Sequence, residues 1–219
     1  MPGKTFLLVA EGETDIIIFQ AIAGHLNSGQ VPINIKVLAP QIDMTSNGYT
    51  SHGFGEVKNW CAANKNRIQM LMDFRGANGL LIQMDTDIAL QINRGCTKTP
   101  RQCCADKLNE AFATLNEPNR CYYILPTQNT ETWLLASHDN YTALDSTLQE
   151  VTDFESLTDT DGRLGDLGYS GKKIRTGRKK LSKKPKKYPV YGQRLINNLP
   201  LARLRCQELD RLCNILTHS

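Results

Sequence analysis

Aromatic side chains make up only 7% of the 219 residues, too few to build a stacking platform for sugars or aromatic ligands. No stretch approaches the roughly 18 consecutive apolar residues that cross a bilayer. The apolar run in MPGKTFLLVA gives way to acidic residues after about half a dozen positions, too short for a secretory signal. These absences point to a soluble, cytoplasmic protein with no membrane partner. The seven cysteines, 61, 96, 103, 104, 121, 206 and 213, include no CxxC pair. An odd count without a secretory signal predicts reduced thiols, and Cys96, Cys103 and a histidine lack the spacing of a standard zinc site. There is no P-loop, and no motif supports Ser-His-Asp or Cys-His catalysis.

What is present is enough for a real core: 40% of the residues are hydrophobic. The length suits one substantial domain with an appendage. The formal net charge of +4 conceals an asymmetry, because residues 172–187 (KKIRTGRKKLSKKPKK) hold ten Lys or Arg and no acid. The rest of the chain is therefore net acidic. A concentrated basic segment on an acidic body suggests a polyanionic partner.

Strand and helix patterns alternate over the first 140 residues. KTFLLVA (4–10), INIKVLA (33–39), GLLIQMD (79–85) and CYYILP (121–126) read as buried strands. Helical spacing follows from Thr14, over 56–73, from Pro100 to about Leu115, and from TETWLLAS (130–137). Segments apolar on both faces belong to a parallel sheet covered by helices. The expected class is α/β, with about four parallel strands in a Rossmann-like arrangement over residues 1–140. Residues 141–219 read as a basic C-terminal extension that ends in an amphipathic helix through Leu201, Leu204, Leu209, Leu212, Cys213 and Leu216. The polar stretch from about Gln41 to Gly55 is long for a compact domain, and such loops are often functional.

Glu11 directly follows the first strand, and Asp85 and Asp87 close the third. In open α/β sheets ligands gather outside the carboxyl ends of the strands, so these acids converge if the two strands are neighbours. Asp85 and Asp87, two apart, share a face if that segment is extended. Clustered carboxylates repel one another unless a cation neutralises them, and their oxygens suit Mg²⁺, with Mn²⁺ as an alternative. Each motif alone is commonly a helix N-cap; it is their conjunction after two buried strands that points to a metal site.

LLVAEGETDIIIF resembles the first motif of TOPRIM domains, a strand ending in Glu-Gly before a helix, and LLIQMDTDIA resembles their second, a strand ending in Asp-x-Asp. The resemblance covers roughly residues 4–135. It implies a compact α/β fold, Glu11 as general acid or base, and Asp85 and Asp87 as metal ligands. TOPRIM domains also occur in OLD-type nucleases, and TQNTETWLLASHD (127–139) is similar to a segment of small stand-alone TOPRIM-like bacterial proteins, RloB-like ones among them. That likeness makes Glu131 a fourth acid of the site; otherwise Glu131 is a first-turn acid favoured by the helix dipole. The chain departs from the pattern at Ile88 and Ala89, where some TOPRIM enzymes carry a further acid, and it lacks the ATPase domain of OLD-type proteins.

In the basic run, Lys172, Lys173, Arg175, Arg178, Lys179, Lys180, Lys183, Lys184, Lys186 and Lys187 are the candidates for contact with nucleic-acid phosphates; a solvated loop or a surface for an acidic subunit is the alternative. His52, His138, Arg94, Lys98 and Arg101 are weaker candidates for the rim of the site, and His25 reads as structural. Asp15 is expected to stand outside the metal's own ligands. The functional expectation is a Mg²⁺-dependent nuclease or nuclease subunit acting on DNA or RNA, with phage defence implied by the resemblance. The alternative is a non-catalytic TOPRIM-like nucleic-acid-binding or assembly subunit that works with a partner ATPase.

Overall fold

The computed structural model describes residues 3–27, 31–43, 48–49, 53–92, 95–139, 154–173 and 179–219. In chain order the elements are β1 (Lys4–Val9), α1 (Glu13–Leu26), β2 (Ile33–Ala39), the two-residue strands β3 (Ile42–Asp43) and β4 (Gly48–Tyr49), α2 (Phe54–Asn64), α3 (Ile68–Phe74), β5 (Gly79–Gln83), α4 (Ala89–Ile92), α5 (Pro100–Phe112), β6 (Cys121–Ile124) and α6 (Glu131–Ala136). A 3-10 turn at Phe154–Ser156 precedes α7 (Thr160–Asp166), β7 (Gly171–Lys173) and β8 (Lys179–Leu181). A second such turn at Pro185–Lys187 leads into α8 (Tyr188–Asn197), α9 (Leu199–Arg205) and α10 (Gln207–His218).

The main sheet has four strands in the order β2-β1-β5-β6, and every pairing is parallel. The chain leaves β1 for β2 on one side, then crosses back to β5 on the other. The order therefore reverses between β1 and β5, the kind of point where α/β sheets open a crevice at their carboxyl edge. The α/β class with about four parallel strands is as the alternating pattern implied.

Both faces of the sheet are covered, which is why β1 and β5 are apolar without alternation. Phe6 and Leu8 join Leu81 and Ile124 in one apolar cluster with α1, α6, α8 and α10. Leu7 and Val9 join Leu80 and Ile82 in the other, against α2, α3 and α5. Residues beyond 140 share the first of these clusters: Phe154, Leu164, Tyr188, Leu195, Leu209 and Leu212 pack in it with Ile18 and Phe19 of α1.

Several local expectations change. The single helix expected over 56–73 is two, broken at Lys65–Arg67, where four successive polar residues (Asn64 to Arg67) offer no apolar position to continue the buried stripe. The C-terminal helix is also broken, at Cys206, whose backbone is extended (φ −133°, ψ 106°). Part of the basic run forms an antiparallel hairpin, β7 with β8. Pro100 opens α5 as expected, behind a reciprocal cap between Thr99 and Gln102.

The cysteines are not all reduced. Cys96 and Cys103 form a disulfide with Cα atoms 6.4 Å apart, because the turn entering α5 folds the chain back on itself. The other five cysteines are buried and outside any disulfide. No helix among the described residues is long and apolar enough to cross a membrane.

Candidate active site

Glu11 and Asp85 are joined through Gln83, the last residue of β5. The Glu11 backbone N–H donates to Gln83 Oε1 at 2.9 Å. Gln83 Nε2 donates to Asp85 Oδ1 at 2.8 Å, and the Asp85 backbone N–H donates to Glu11 Oε1 at 3.0 Å. This closed ring of three bonds ties the carboxyl ends of neighbouring strands at the reversal point of the sheet. From the other side, the Gly53 N–H donates to the Glu11 carbonyl at 2.8 Å. Gly53 has φ +100°, a conformation costly for any residue with a Cβ.

Asp85 and Asp87 do not share a face. The backbone N–H groups of Thr86 and Asp87 both donate to the Gln128 carbonyl, at 2.9 and 3.0 Å, which folds the segment into a turn rather than a strand. Asp85 is buried and Asp87 is exposed. The same knot includes Thr86 Oγ1 donating to the Pro126 carbonyl at 3.0 Å and receiving the Gln128 N–H at 2.8 Å. It fixes the start of α6 beside the Asp-Thr-Asp turn.

Glu131, in the first turn of α6, is fully buried. Its Oε1 accepts the Tyr188 hydroxyl at 2.5 Å, and Lys183 Nζ lies 2.9 Å from its Oε2. Asp15, from the first turn of α1, is also buried and accepts the Thr130 hydroxyl at 2.6 Å. Glu11, Asp15, Asp85 and Glu131 thus form one electrostatic cluster, with Lys183 as a cation acting on it.

Glu11, Asp15 and Asp85 resist ionisation. Burial, then repulsion from Asp15 and Asp87, push Glu11 up to about 8 against the Asp85 N–H and Lys183. Burial and Glu131 push Asp15 up to about 6, opposed by Thr130 and Lys183. Burial, then Asp15, Glu11 and Glu131, hold Asp85 well above the ordinary carboxylate range. Burial works against the Lys183 ammonium, but Glu131 and Asp85 outweigh it and keep it charged. The Tyr188 hydroxyl is raised by burial and by Glu131, so it acts as a donor.

In kind, these oxygens fit a hard divalent cation. In placement, no group of three or more His, Cys, Asp or Glu among the described residues is set to hold one. Cys104, with Sγ 3.9 Å from the Asp85 carbonyl, is pushed up to about 12, chiefly by burial, which favours the neutral thiol.

The basic candidates divide. Lys172, Lys184, Lys186 and Lys187 are exposed. Lys173, Lys179 and Lys180 lie on the hairpin, where Lys172 faces Lys180 and Lys173 faces Lys179. Lys183 is engaged with Glu131. Arg175 and Arg178 lie outside the described residues, as do His52 and Arg94. His138 Nε2 is 2.8 Å from the Tyr169 hydroxyl, and His25 is exposed in the last turn of α1. Lys98 pairs with Asp106, and Arg101 with the buried Glu155.

Asp15, expected near the site but outside the metal's own ligands, stands in the cluster. Two contributors were not marked by strand-end reasoning. Gln83 has a usable signal, a lone polar side chain at the end of the apolar run GLLIQ. The Tyr188 contact with Glu131 has none, since it joins residues far apart in the chain. No family model, no curated protein and no solved structure matches this chain.

Proposed function

We propose that this protein is a TOPRIM-like, metal-dependent nuclease that cuts phosphodiester bonds of DNA or RNA. The observation that carries this reading is the ring joining Glu11, Gln83 and Asp85 at the reversal point of the sheet, with Asp15 and Glu131 beside it. Glu11, Asp85 and Asp87 are the acids that would hold Mg²⁺ or Mn²⁺, although the exposed Asp87 stands apart from the buried Asp85. When bound, the ion supplies charge stabilisation to the attacking and leaving oxygens of a phosphodiester.

The chain's own groups account for the rest. Glu11 Oε1 is occupied by the Asp85 N–H, which leaves Oε2 to carry the proton. A carboxyl near 8 exchanges that proton around neutral pH, as a general acid or base requires. The exposed Lys172 at the hairpin and Lys184, Lys186 and Lys187 after it would meet the phosphate backbone. With the resemblance, these features support a nucleic-acid substrate, and a role in phage defence belongs to the same proposal.

Cleavage of single- and double-stranded DNA and RNA in Mg²⁺ or Mn²⁺ tests the reading, beside Glu11→Gln and Asp85→Asn. Activity that depends on metal and is lost in both variants is expected; activity surviving both overturns the site. The lack of three pre-placed ligands among the described residues favours a second reading, a nucleic-acid-binding or assembly subunit for an ATPase-containing partner. Binding without cleavage in either metal would select it.

A further inference from the structure

The two sulfurs of the Cys96–Cys103 disulfide are differently placed. Cys96 lies half-buried in the loop before α5, whereas Cys103 is buried in the first turn of that helix. Cys103 therefore stands at the positive end of a 13-residue helix, which favours a thiolate there. Thiol–disulfide exchange is easiest when the attacked sulfur is accessible and the departing one is stabilised as its anion. One bond meets both conditions, at its two ends. Burial pushes up the thiols of Cys61, Cys104, Cys121 and Cys213, which keeps those sulfurs protonated and out of the exchange.

The bond also has something to hold. Helix α4 is four residues long, too short to persist by its own hydrogen bonds. It follows the Asp-Thr-Asp turn directly, with the Ala89 N–H on the Thr86 carbonyl at 3.1 Å. Ala89 packs in the same apolar cluster as Cys103, Cys104 and Leu108 of α5. Cys103 ties the first turn of α5 to the loop beyond α4, and its neighbour Cys104 rests with Sγ 3.9 Å from the Asp85 carbonyl.

We propose that the Cys96–Cys103 bond is a reversible redox clasp, opened by a dithiol reductant, and that opening it loosens α4 and the turn before it from α5. The reductant's thiolate attacks Cys96 Sγ and forms a mixed disulfide as the Cys96–Cys103 bond breaks. Cys103 leaves as a thiolate and takes a proton from water. The reductant's second thiol then displaces Cys96, which leaves as a thiol. The protein gains two electrons and two protons, and the dithiol becomes a disulfide. Closure runs the same steps backward with a disulfide oxidant. The clasp acts on the support of the strand end whatever that edge binds, so it does not rest on the nuclease reading.

Equilibration of the full chain in mixtures of reduced and oxidised dithiothreitol tests this, followed by acid quench, alkylation in denaturant and peptide mapping by mass spectrometry. Cys96 and Cys103 are expected to gain label together as the reduced share rises, while the chain stays folded. A pair labelled at every ratio, or one that resists reduction until the chain unfolds, overturns the clasp. Hydrogen exchange on the two forms reads the consequence. The amides of Ala89 and Gln91, bonded to the Thr86 and Ile88 carbonyls, are expected to exchange about tenfold faster or more after reduction, with those of β1 unchanged. Equal rates in the two forms overturn the coupling to α4. Cys96→Ser is expected to exchange like reduced wild type with or without reductant, and a slow, oxidised-like rate in it overturns the coupling as well. Should that variant not fold, the two wild-type forms decide the question by themselves.

Discussion

The Tyr188 hydroxyl donates to Glu131 Oε1 at 2.5 Å, joining the start of α8 to the start of α6 across 57 positions of sequence. A carboxylate with no exposed surface depends on such a donor. Tyr188→Phe keeps the ring in the core and leaves that oxygen buried without its bond. The expected loss is about 1–3 kcal/mol, read as a lower midpoint in urea with an unchanged slope.

The raised carboxylates set a pH dependence of stability for the metal-free protein. A carboxyl that keeps its proton in the folded state after the unfolded chain has lost it favours folding most below its unfolded pKa. That contribution declines as pH rises through the folded value. Glu11, near 8, and Asp15, near 6, therefore predict a melting temperature that falls between about pH 5 and pH 8.5. Glu11→Gln should flatten the upper part of this decline and melt higher than wild type at pH 8.5. A melting temperature that climbs across this window would contradict the arrangement of the cluster.

Arg101 lies at the centre of a second charged network, whose acids are not those of the strand-end ring. Its guanidinium meets Glu155 at 2.9 Å and Glu208 at 3.8 Å, and its Nε donates to the Leu125 carbonyl at 3.1 Å. Both glutamates are buried, so Arg101→Ala leaves them underpaired. Destabilisation of about 3–5 kcal/mol is expected, measurable by denaturant unfolding. Arg211 also pairs with Glu208, at 3.0 Å, which places Arg101→Ala toward the lower end.

Two helix glycines should respond in opposite directions. A Cβ at Gly192 would stand 2.9 Å from Ala21 Cβ, where α8 crosses α1, while one at Gly24 meets nothing within 4 Å. Gly192→Ala forces the helices apart and should cost about 1–3 kcal/mol. Gly24→Ala, on an exposed part of α1, should stabilise by about 0.5–1 kcal/mol. Thermal melts of the two variants check both signs.

The parts of the structure that local chemistry dictates were legible from the residues. Strands apolar on both faces announced a covered parallel sheet, and Glu11 and Asp85 announced its carboxyl edge. Asp87 was misplaced because its orientation is set by the Gln128 carbonyl, and no alternation rule carries information about an acceptor 41 residues away. The break at Cys206 was hidden because Leu201, Leu204, Leu209 and Leu212 keep helical spacing across it. The Cys96–Cys103 bond was missed because compartment reasoning was applied to all seven cysteines together. Lys183 was grouped with its basic neighbours by composition, although its partner is a buried acid reached only after the chain folds.

The amide of Gln83 works as a gauge. Parallel strands stand about 4.8 Å apart by virtue of their ladder, and Gln83 transfers that spacing to the two acids through one donor and one acceptor on a single rigid plane. Their separation is therefore inherited from the backbone lattice. Loops elsewhere can lengthen, shorten or be exchanged without retuning it. An insertion within β5 itself, even of one residue, would rotate Gln83 to the opposite face and uncouple the pair.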